Sequence, residues 1–272
     1  MKSDSESGHR GARIARRVAL WTGGTVGVLG LVGGAALFGA SRDSEPRSGD
    51  SQTRLFVPES KGGLSYPFPS SPPSTTCHAT ATVRRRTTLY RRPGGRGLVR
   101  IASRTEWRSP RVLGVARRRG RWLAVQAPEL PNHRVGWLPS RRAQLGCVRW
   151  ALHMDLSRRR LVVRRDGRAV HSFVVAIGSP RHPTPRGRFS VTDKLRVRDP
   201  GSPYGCCVLA LTGHQTRLPA DWPGGDRLAI HAAKNPSSIG NAASLGCMRV
   251  TAGEARWLLR AIPLGTPIFI RS

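Results

Sequence analysis

Apolar and polar residues alternate along most of the C-terminal two thirds of the chain, a period typical of half-buried β-strands. The stretch from Trp122 to Trp137 alternates in this way between Gly and Pro breaks, and so do three runs within residues 152–177. Asp166 and Gly167 separate two of these runs and favour a tight hairpin turn, because glycine adopts a positive φ without strain. The pattern predicts a small β-barrel followed by a second domain that opens with a β-meander.

The rest of the second domain is expected to mix loops, strands and a helix. Residues 183–187 are P-T-P-R-G, which predicts a rigid loop, and residues 193–229 are expected to be rich in loops. Thr251 and Glu254 form a T-x-x-E capping box ahead of ARWLLRAI, so one short helix should begin there. The last residues, GTPIFIRS, predict a closing strand. We therefore expect a mostly β fold with one or two short helices.

An uncharged run of 23 residues, Val18 to Ala40, precedes the β-rich part of the chain. This length is sufficient for a transmembrane helix that crosses a hydrocarbon core about 30 Å thick. Four arginines within residues 1–17 would form a basic cytoplasmic tail, which leaves the bulk of the chain outside the cell. A cleaved secretory or twin-arginine signal is the alternative. Both interpretations predict an extracytoplasmic protein, either anchored by a single membrane pass or secreted to the cell wall.

Residues 41–76 change in composition to Ser, Pro, Gly and mixed charge. Such a segment cannot bury enough apolar surface to offset its ordering entropy, which predicts a disordered linker. Two β domains are expected after it, at residues 77–147 and 148–272. Cys77 and Cys147 lie at the edges of the first domain, and an oxidising exterior would allow a disulfide between them. Five cysteines are an odd number, so at least one thiol is left over.

The formal net charge of the chain is +31, and 42 of its 46 basic residues are arginine. Nucleic acid is the first partner that such a charge suggests, but an exported protein would not encounter the DNA of the cell. A preference for arginine over lysine also follows from a GC-rich genome. The alternative is a surface for an anionic partner, such as cell-wall polymers or a lipid surface.

His231 and Cys247 are the residues that point to chemistry, in the segment IHAAKNPSSIGNAASLGCMRV. A thiol is a good nucleophile only as thiolate, and a neighbouring histidine can take its proton. Gly246 precedes the cysteine and would let a substrate approach the backbone closely. From spacing alone, a buried structural cysteine and a surface histidine remain the alternative.

A wider set of motifs surrounds this pair in a fixed order. An opening hairpin is followed by G-S-P-R-H-P-T-P-R-G at residues 178–187, by I-H at residues 230–231 and by S-L-G-C-M-R at residues 244–249. In this order they resemble the L,D-transpeptidase (YkuD-like) catalytic domain, over roughly Val148 to Ser272. The resemblance implies a mixed β-sandwich fold. It also implies an enzyme that cross-links peptidoglycan through a cysteine and needs no metal or cofactor.

The resemblance also implies a role for each residue of the motif. Cys247 would be the acyl-accepting nucleophile and His231 its general base. The amides of Gly246 and Cys247 would bind the oxyanion, Ser244 would fall on the motif's remaining position, and Arg249 would hold the site or a substrate carboxylate. A reaction with a stem tetrapeptide would then release the terminal D-Ala and give a 3→3 cross-link.

Two features limit what the resemblance implies. The family usually has S-H-G-C, and Leu245 stands here in place of the second histidine, which puts the rate in doubt. Transfer to water instead of an amine would make the protein an L,D-carboxypeptidase, and loss of activity would leave a non-enzymatic wall-binding protein. In the first domain, W-L-A-V at residues 122–125 and G-W-L at residues 136–138 resemble the bacterial SH3-like barrel of wall-associated proteins.

Four other residues are candidates for lining the site. Cys206 and Cys207 precede an apolar run, and adjacent cysteines rarely bond each other, so we expect buried thiols or a site-lining role. Tyr204 and Trp222 would either stack on a substrate or pack in the core. No C-x-x-C pair or H-x-x-x-H spacing supports a zinc site.

Overall fold

The structure, a computed structural model, describes residues 77–272. The predicted basic tail, membrane span and linker all fall within residues 1–76 and lie outside the described residues. Within residues 77–272, no helix is long and apolar enough to cross a membrane. The regular secondary structure of residues 77–272 consists of 17 β-strands, one α-helix and two short 3-10 turns, which confirms the mostly β fold expected from the alternating pattern.

Seven strands form the N-terminal sheet, in the order β3-β2-β6-β5-β4-β1-β7. They are β1 His78–Val83, β2 Thr87–Tyr90, β3 Gly97–Ile101, β4 Val112–Arg119, β5 Trp122–Val125, β6 Gly136–Pro139 and β7 Ala143–Val148. All the pairings are antiparallel, and the core is lined by Leu89, Leu113, Leu123 and Leu138, each nearly inaccessible to solvent. The resemblance of this sheet to an SH3-like barrel stays a prediction.

A disulfide joins Cys77 to Cys147. It lies where β1 pairs with β7, with Ala79 opposite Cys147, so it ties the start of the N-terminal sheet to its end. This is the pairing that the position of the two cysteines suggested.

Eight strands form the C-terminal sheet, in the order β10-β9-β8-β17-β12-β13-β14-β16. They are β8 Trp150–Asp155, β9 Arg160–Arg165, β10 Arg168–Val174, β12 Gly187–Arg196, β13 Cys207–His214, β14 Arg227–Ala232, β16 Met248–Val250 and β17 Pro267–Arg271. A parallel pair, β11 Ile177–Gly178 with β15 Ala242–Ser244, lies apart from this sheet. Asp166 and Gly167 make the β9–β10 turn with φ of 53° and 77°, which confirms the predicted meander β8-β9-β10. Residues 193–229 are less loop-rich than expected, because β13 lies within them.

Helix α1, Ala252–Ala261, begins at the predicted capping box. The Thr251 hydroxyl accepts from the Glu254 amide at 3.3 Å, and the Glu254 carboxylate accepts from the Thr251 amide at 2.8 Å. The helix buries Ala255, Leu258 and Leu259 in the C-terminal core, against β13 and β14. It therefore supports the two strands that position the candidate site.

Polar contacts hold the N-terminal and C-terminal sheets together as one compact unit. Asn132 exchanges two hydrogen bonds with the backbone of His214, at 2.7 and 2.8 Å. The Ser190 hydroxyl donates to Gln126 at 3.2 Å, and Thr105 donates to the fully buried carboxylate of Asp193. Since buried polar groups are costly unless paired, these contacts fix how the two sheets lie against each other.

Candidate active site

His231 lies on β14 and is almost completely buried, with 3% of its surface exposed. Its Nδ1 is 2.9 Å from the Ala232 carbonyl oxygen, which can only accept, so Nδ1 donates the proton. Burial lowers the pKa of His231 to about 4, and the charge of Arg249 also lowers it. The hydrogen bonds to the Ala232 and Tyr204 backbones raise the pKa but do not offset the effect of burial. The ring is therefore neutral at pH 7 and free to accept a proton.

Cys247 lies directly before β16, which pairs with β14 in parallel. The register sets Ile230 opposite Met248 and His231 opposite Arg249, so Cys247 lies level with Ala229 in the middle of β14, two residues before His231. The thiol is 3.9 Å from the Arg227 carbonyl oxygen. Within residues 77–272, no hydrogen bond joins the His231 ring to Sγ of Cys247.

Burial raises the pKa of the Cys247 thiol, while the Ala229 backbone and the charge of Arg249 act in the opposite direction. The side chain is partly exposed and is the single free cysteine of residues 77–272. At rest the pair is therefore a neutral thiol and a neutral imidazole. Deprotonation has to accompany the attack on a substrate.

Tyr204 contacts the site directly. Its ring packs edge-on against His231, with centroids 5.1 Å apart. Burial raises the pKa of the Tyr204 phenol, and a negative charge on Cys247 would raise it further. Trp222 lies in the loop after β13, and its indole donates to the Gly225 carbonyl oxygen at 3.2 Å, a local contact.

Ser244 holds the turn that carries Cys247. Its hydroxyl donates to the Cys247 carbonyl oxygen at 2.6 Å and accepts from the Gly246 amide at 3.0 Å. The Gly246 amide, expected at the oxyanion, is thus engaged inside the turn in this structure. Thr184 of the proline loop donates to the Gly246 carbonyl oxygen at 2.8 Å and accepts from the Gly178 amide at 2.8 Å. Two motifs that are about 60 residues apart in sequence therefore form one hydrogen-bonded unit.

Gln215 is a residue of the site that sequence reasoning missed. Its buried side-chain amide donates to the carbonyl oxygens of Pro183 and Leu245, both at 3.0 Å. Gly246 has a φ of +116°, and a Cβ at this position would lie 2.0 Å from the Gln215 amide nitrogen. Glycine is therefore required before the nucleophile for both its conformation and its missing side chain. A lone glutamine after a strand gives no signal in the sequence.

Arg249 is anchored through its backbone and supplies positive charge to the site. Its amide and carbonyl exchange hydrogen bonds of 2.9 Å with Ala176, and its guanidinium is 3.5 Å from the Ala243 carbonyl oxygen. The charge lowers the pKa of both His231 and Cys247. The guanidinium is partly exposed, so an incoming anion can reach it.

Cys206 and Cys207 are joined by a disulfide, so the expectation of two buried thiols is wrong. Cys207 is buried at the start of β13, and the next residue, Val208, pairs with His231. Cys206 is half-buried and contacts the Ala252 carbonyl oxygen at 3.8 Å. The rarity of bonds between neighbouring cysteines gave the wrong expectation here.

Comparisons with known proteins concern the C-terminal part of the chain. The model of the YkuD family, described as the L,D-transpeptidase catalytic domain, matches residues 149–270. Proteins named "Putative L,D-transpeptidase YkuD" from Bacillus licheniformis and Bacillus subtilis are 30% and 27% identical over 123 residues, 45% of this chain. The chain spans 66% of the length of each of these two relatives.

Solved structures give a weaker likeness. The L,D-transpeptidase from Mycobacterium smegmatis is 19% identical, with 59% of this chain and 82% of that chain covered and a TM-score of 0.36. A TM-score this low does not establish a shared arrangement of the whole chain. The family match rests on the sequence of residues 149–270.

Proposed function

We propose that the protein is a cysteine acyltransferase acting on peptidoglycan stem peptides, because residues 149–270 match the model of the YkuD family of L,D-transpeptidase catalytic domains. The observation that carries the proposal is the pairing of β14 with β16, which sets Cys247 level with Ala229, two residues from His231, although the two residues are sixteen positions apart in sequence. The tightly held turn around Gly246 presents the nucleophile, and the neutral imidazole can take its proton.

In the first half-reaction Cys247 attacks the carbonyl at the L-centre of the diamino acid in a tetrapeptide stem. The thiol proton passes to His231 as the Sγ–C bond forms, because neither group is charged at rest. His231 then protonates the departing nitrogen, the C–N bond breaks and D-Ala leaves. A thioester on Cys247 remains.

In the second half-reaction the side-chain amine of another stem attacks the thioester. His231 takes a proton from this amine and returns it to the sulfur, so that the thiol is restored and a 3→3 cross-link is formed. The amide of Cys247 supports the tetrahedral oxyanion, and Arg249 attracts a carboxylate of the donor. Ser244 and Gly246 act by holding the turn, and the oxyanion can recruit the Gly246 amide only if it leaves Ser244.

The acceptor decides between two related activities. Water in place of the amine gives an L,D-carboxypeptidase with the same acyl-enzyme. We propose the extracytoplasmic side of the membrane as the place of action, since stem peptides are there. The retained His231 and Cys247 pair supports an enzyme over a protein that only binds the wall.

Incubation with a purified stem tetrapeptide tests the proposal. The expected products are free D-Ala and a cross-linked dimer, detected by mass spectrometry, and both should disappear in Cys247→Ala. Tripeptide without dimer would identify the carboxypeptidase. If the wild-type chain releases no D-Ala with or without an added amine, the proposed enzyme activity is wrong.

A further inference from the structure

Six arginines converge at one end of the N-terminal sheet, before the family domain in sequence. They are Arg84, Arg85, Arg86, Arg100, Arg141 and Arg142, and all are exposed. We call this surface the arginine groove. It consists of two adjoining depressions with volumes of about 170 and 440 Å³, which share Arg86, Arg141 and Arg142 as lining residues.

The pairing of strands brings these arginines together from three segments of chain. Val83 at the end of β1 pairs with Ala143 at the start of β7, so the turn 84–86 meets the short 3-10 turn Ser140–Arg142. Thr88 pairs with Arg100 across β2 and β3, which adds the sixth arginine. The shape of the groove therefore follows from the sheet.

The groove contains no compensating negative charge. The first β domain holds 17 arginines and no lysine, and its only acidic residues are Glu106 and Glu129. Glu106 pairs with Arg227 and Glu129 with Arg111, and both carboxylates line a neighbouring depression that shares only Arg100 with the groove. Within residues 77–272 no carboxylate forms an ion pair with any of the six. Clustered like charges repel one another, and a bound anion relieves that repulsion.

We propose that the arginine groove binds a linear phosphodiester polymer, an activity that goes beyond the proposed acyl transfer and does not depend on it. The planar guanidinium presents parallel donors that match two phosphate oxygens. Two connected depressions can take successive phosphates of one chain. Thr87, Thr88 and Gln144 supply further polar groups to the lining.

The lining favours a soluble polymer over a lipid surface. It includes no Leu, Ile, Val or Phe, so it offers little surface to acyl chains. A GC-rich genome would account for arginine in place of lysine. It would not account for six arginines from three segments that line two depressions without an acidic residue.

Binding of fluorescent poly(glycerol phosphate) to the full chain, followed by anisotropy at several salt concentrations, tests the proposal. Changing Arg86, Arg141 and Arg142 together to Glu should weaken binding by at least about tenfold and reduce the slope of log Kd against log salt by about three. The matched control changes Arg118, Arg119 and Arg168 to Glu. These three are exposed, lie outside the groove and alter the net charge equally. The control should change the affinity by less than about threefold.

Several outcomes would overturn the proposal. Equal loss in the two triple variants means that net charge, not the groove, binds the polymer. Tighter binding to poly-glutamate or to phosphatidylglycerol vesicles, with the same dependence on the groove, assigns a different ligand. Changing Arg86, Arg141 and Arg142 to Gln is a milder substitution that controls for misfolding of the Glu variant. The Gln variant must also bind the polymer more weakly than the wild type. Acylation of Cys247 by a carbapenem should be the same in both triple variants, so failure here is distinct from failure of the proposed enzyme activity.

Discussion

The main-chain carbonyl oxygen of Arg227 lies 3.9 Å from Sγ of Cys247. The guanidinium of the same arginine forms an ion pair with Glu106 of the N-terminal β domain and donates to Thr192 at 2.7 Å. Arg227 also begins β14, the strand that carries His231. The ion pair therefore links the N-terminal domain to β14, the strand beside Cys247.

Loss of this ion pair should slow the acylation of Cys247 without unfolding the protein. We predict that Glu106→Gln reduces the rate of acylation by a carbapenem by about two- to fivefold, because Arg227 loses its charged partner. The carboxylate of Glu106 is nearly half exposed, so the free energy of unfolding should change by less than about 1 kcal/mol. Glu129→Gln is the matched control, since Glu129 pairs with Arg111 and not with β14. Equal rates in wild type and Glu106→Gln would contradict the prediction.

Gly246 should tolerate no side chain. Gly246→Ala places a methyl group against the Gln215 amide and forces a positive φ on alanine, so the turn must shift. We expect acylation to fall by at least about tenfold, since a displaced nucleophile loses its alignment. The free energy of unfolding should fall by roughly 1–3 kcal/mol. Gly225→Ala, where a new methyl group meets open space, is the control and should behave as wild type.

His231 should make the protein less stable in mild acid. Its pKa is about 4 in the folded state against 6.5 for the ordinary side chain, so the unfolded chain binds the extra proton first as the pH falls. Up to roughly 3 kcal/mol of stability, present above pH 6.5, is lost as the pH falls towards 4. Thermal unfolding of His231→Gln should show a shallower loss between pH 7 and 4. His153, with a pKa also lowered to about 4 by burial, should keep part of the slope in both proteins. Parallel curves for wild type and variant would show that His231 is not buried as described.

Alkylation under denaturing conditions without reductant counts the free thiols. The two disulfides leave Cys247 alone, so one label per chain is expected, rising to five after reduction. Peptide mapping should find that label on Cys247. Three labels before reduction, two of them on Cys206 and Cys207, would show that these two cysteines are free thiols, as the sequence suggested.

Local patterns in the sequence predicted much of the fold. The meander, the Asp166-Gly167 turn and the capping box at Thr251 depend on neighbouring residues, and each appears in the structure. The missed features depend on contacts between distant segments. Gln215 reaches backbone carbonyls about 30 residues away on either side, and no spacing rule encodes such a contact.

The oxyanion expectation shows the same limit. The motif placed the Gly246 amide at the reacting centre, but the structure directs it to Ser244, only two residues away. Which of a turn's amides is free depends on the rotamer of a hydroxyl, and the sequence does not specify it. The disulfide between Cys206 and Cys207 is likewise not predicted by the spacing of the two cysteines.

The intact mass of the full chain after incubation with a carbapenem tests the central claim most directly. A thioester on a single nucleophile predicts one covalent adduct per chain, located on the peptide that contains Cys247 and absent from Cys247→Ala. His231→Ala should form the same adduct more slowly. A wild-type chain that gains no mass, or an adduct that persists in Cys247→Ala, would contradict the assignment of Cys247 as the nucleophile.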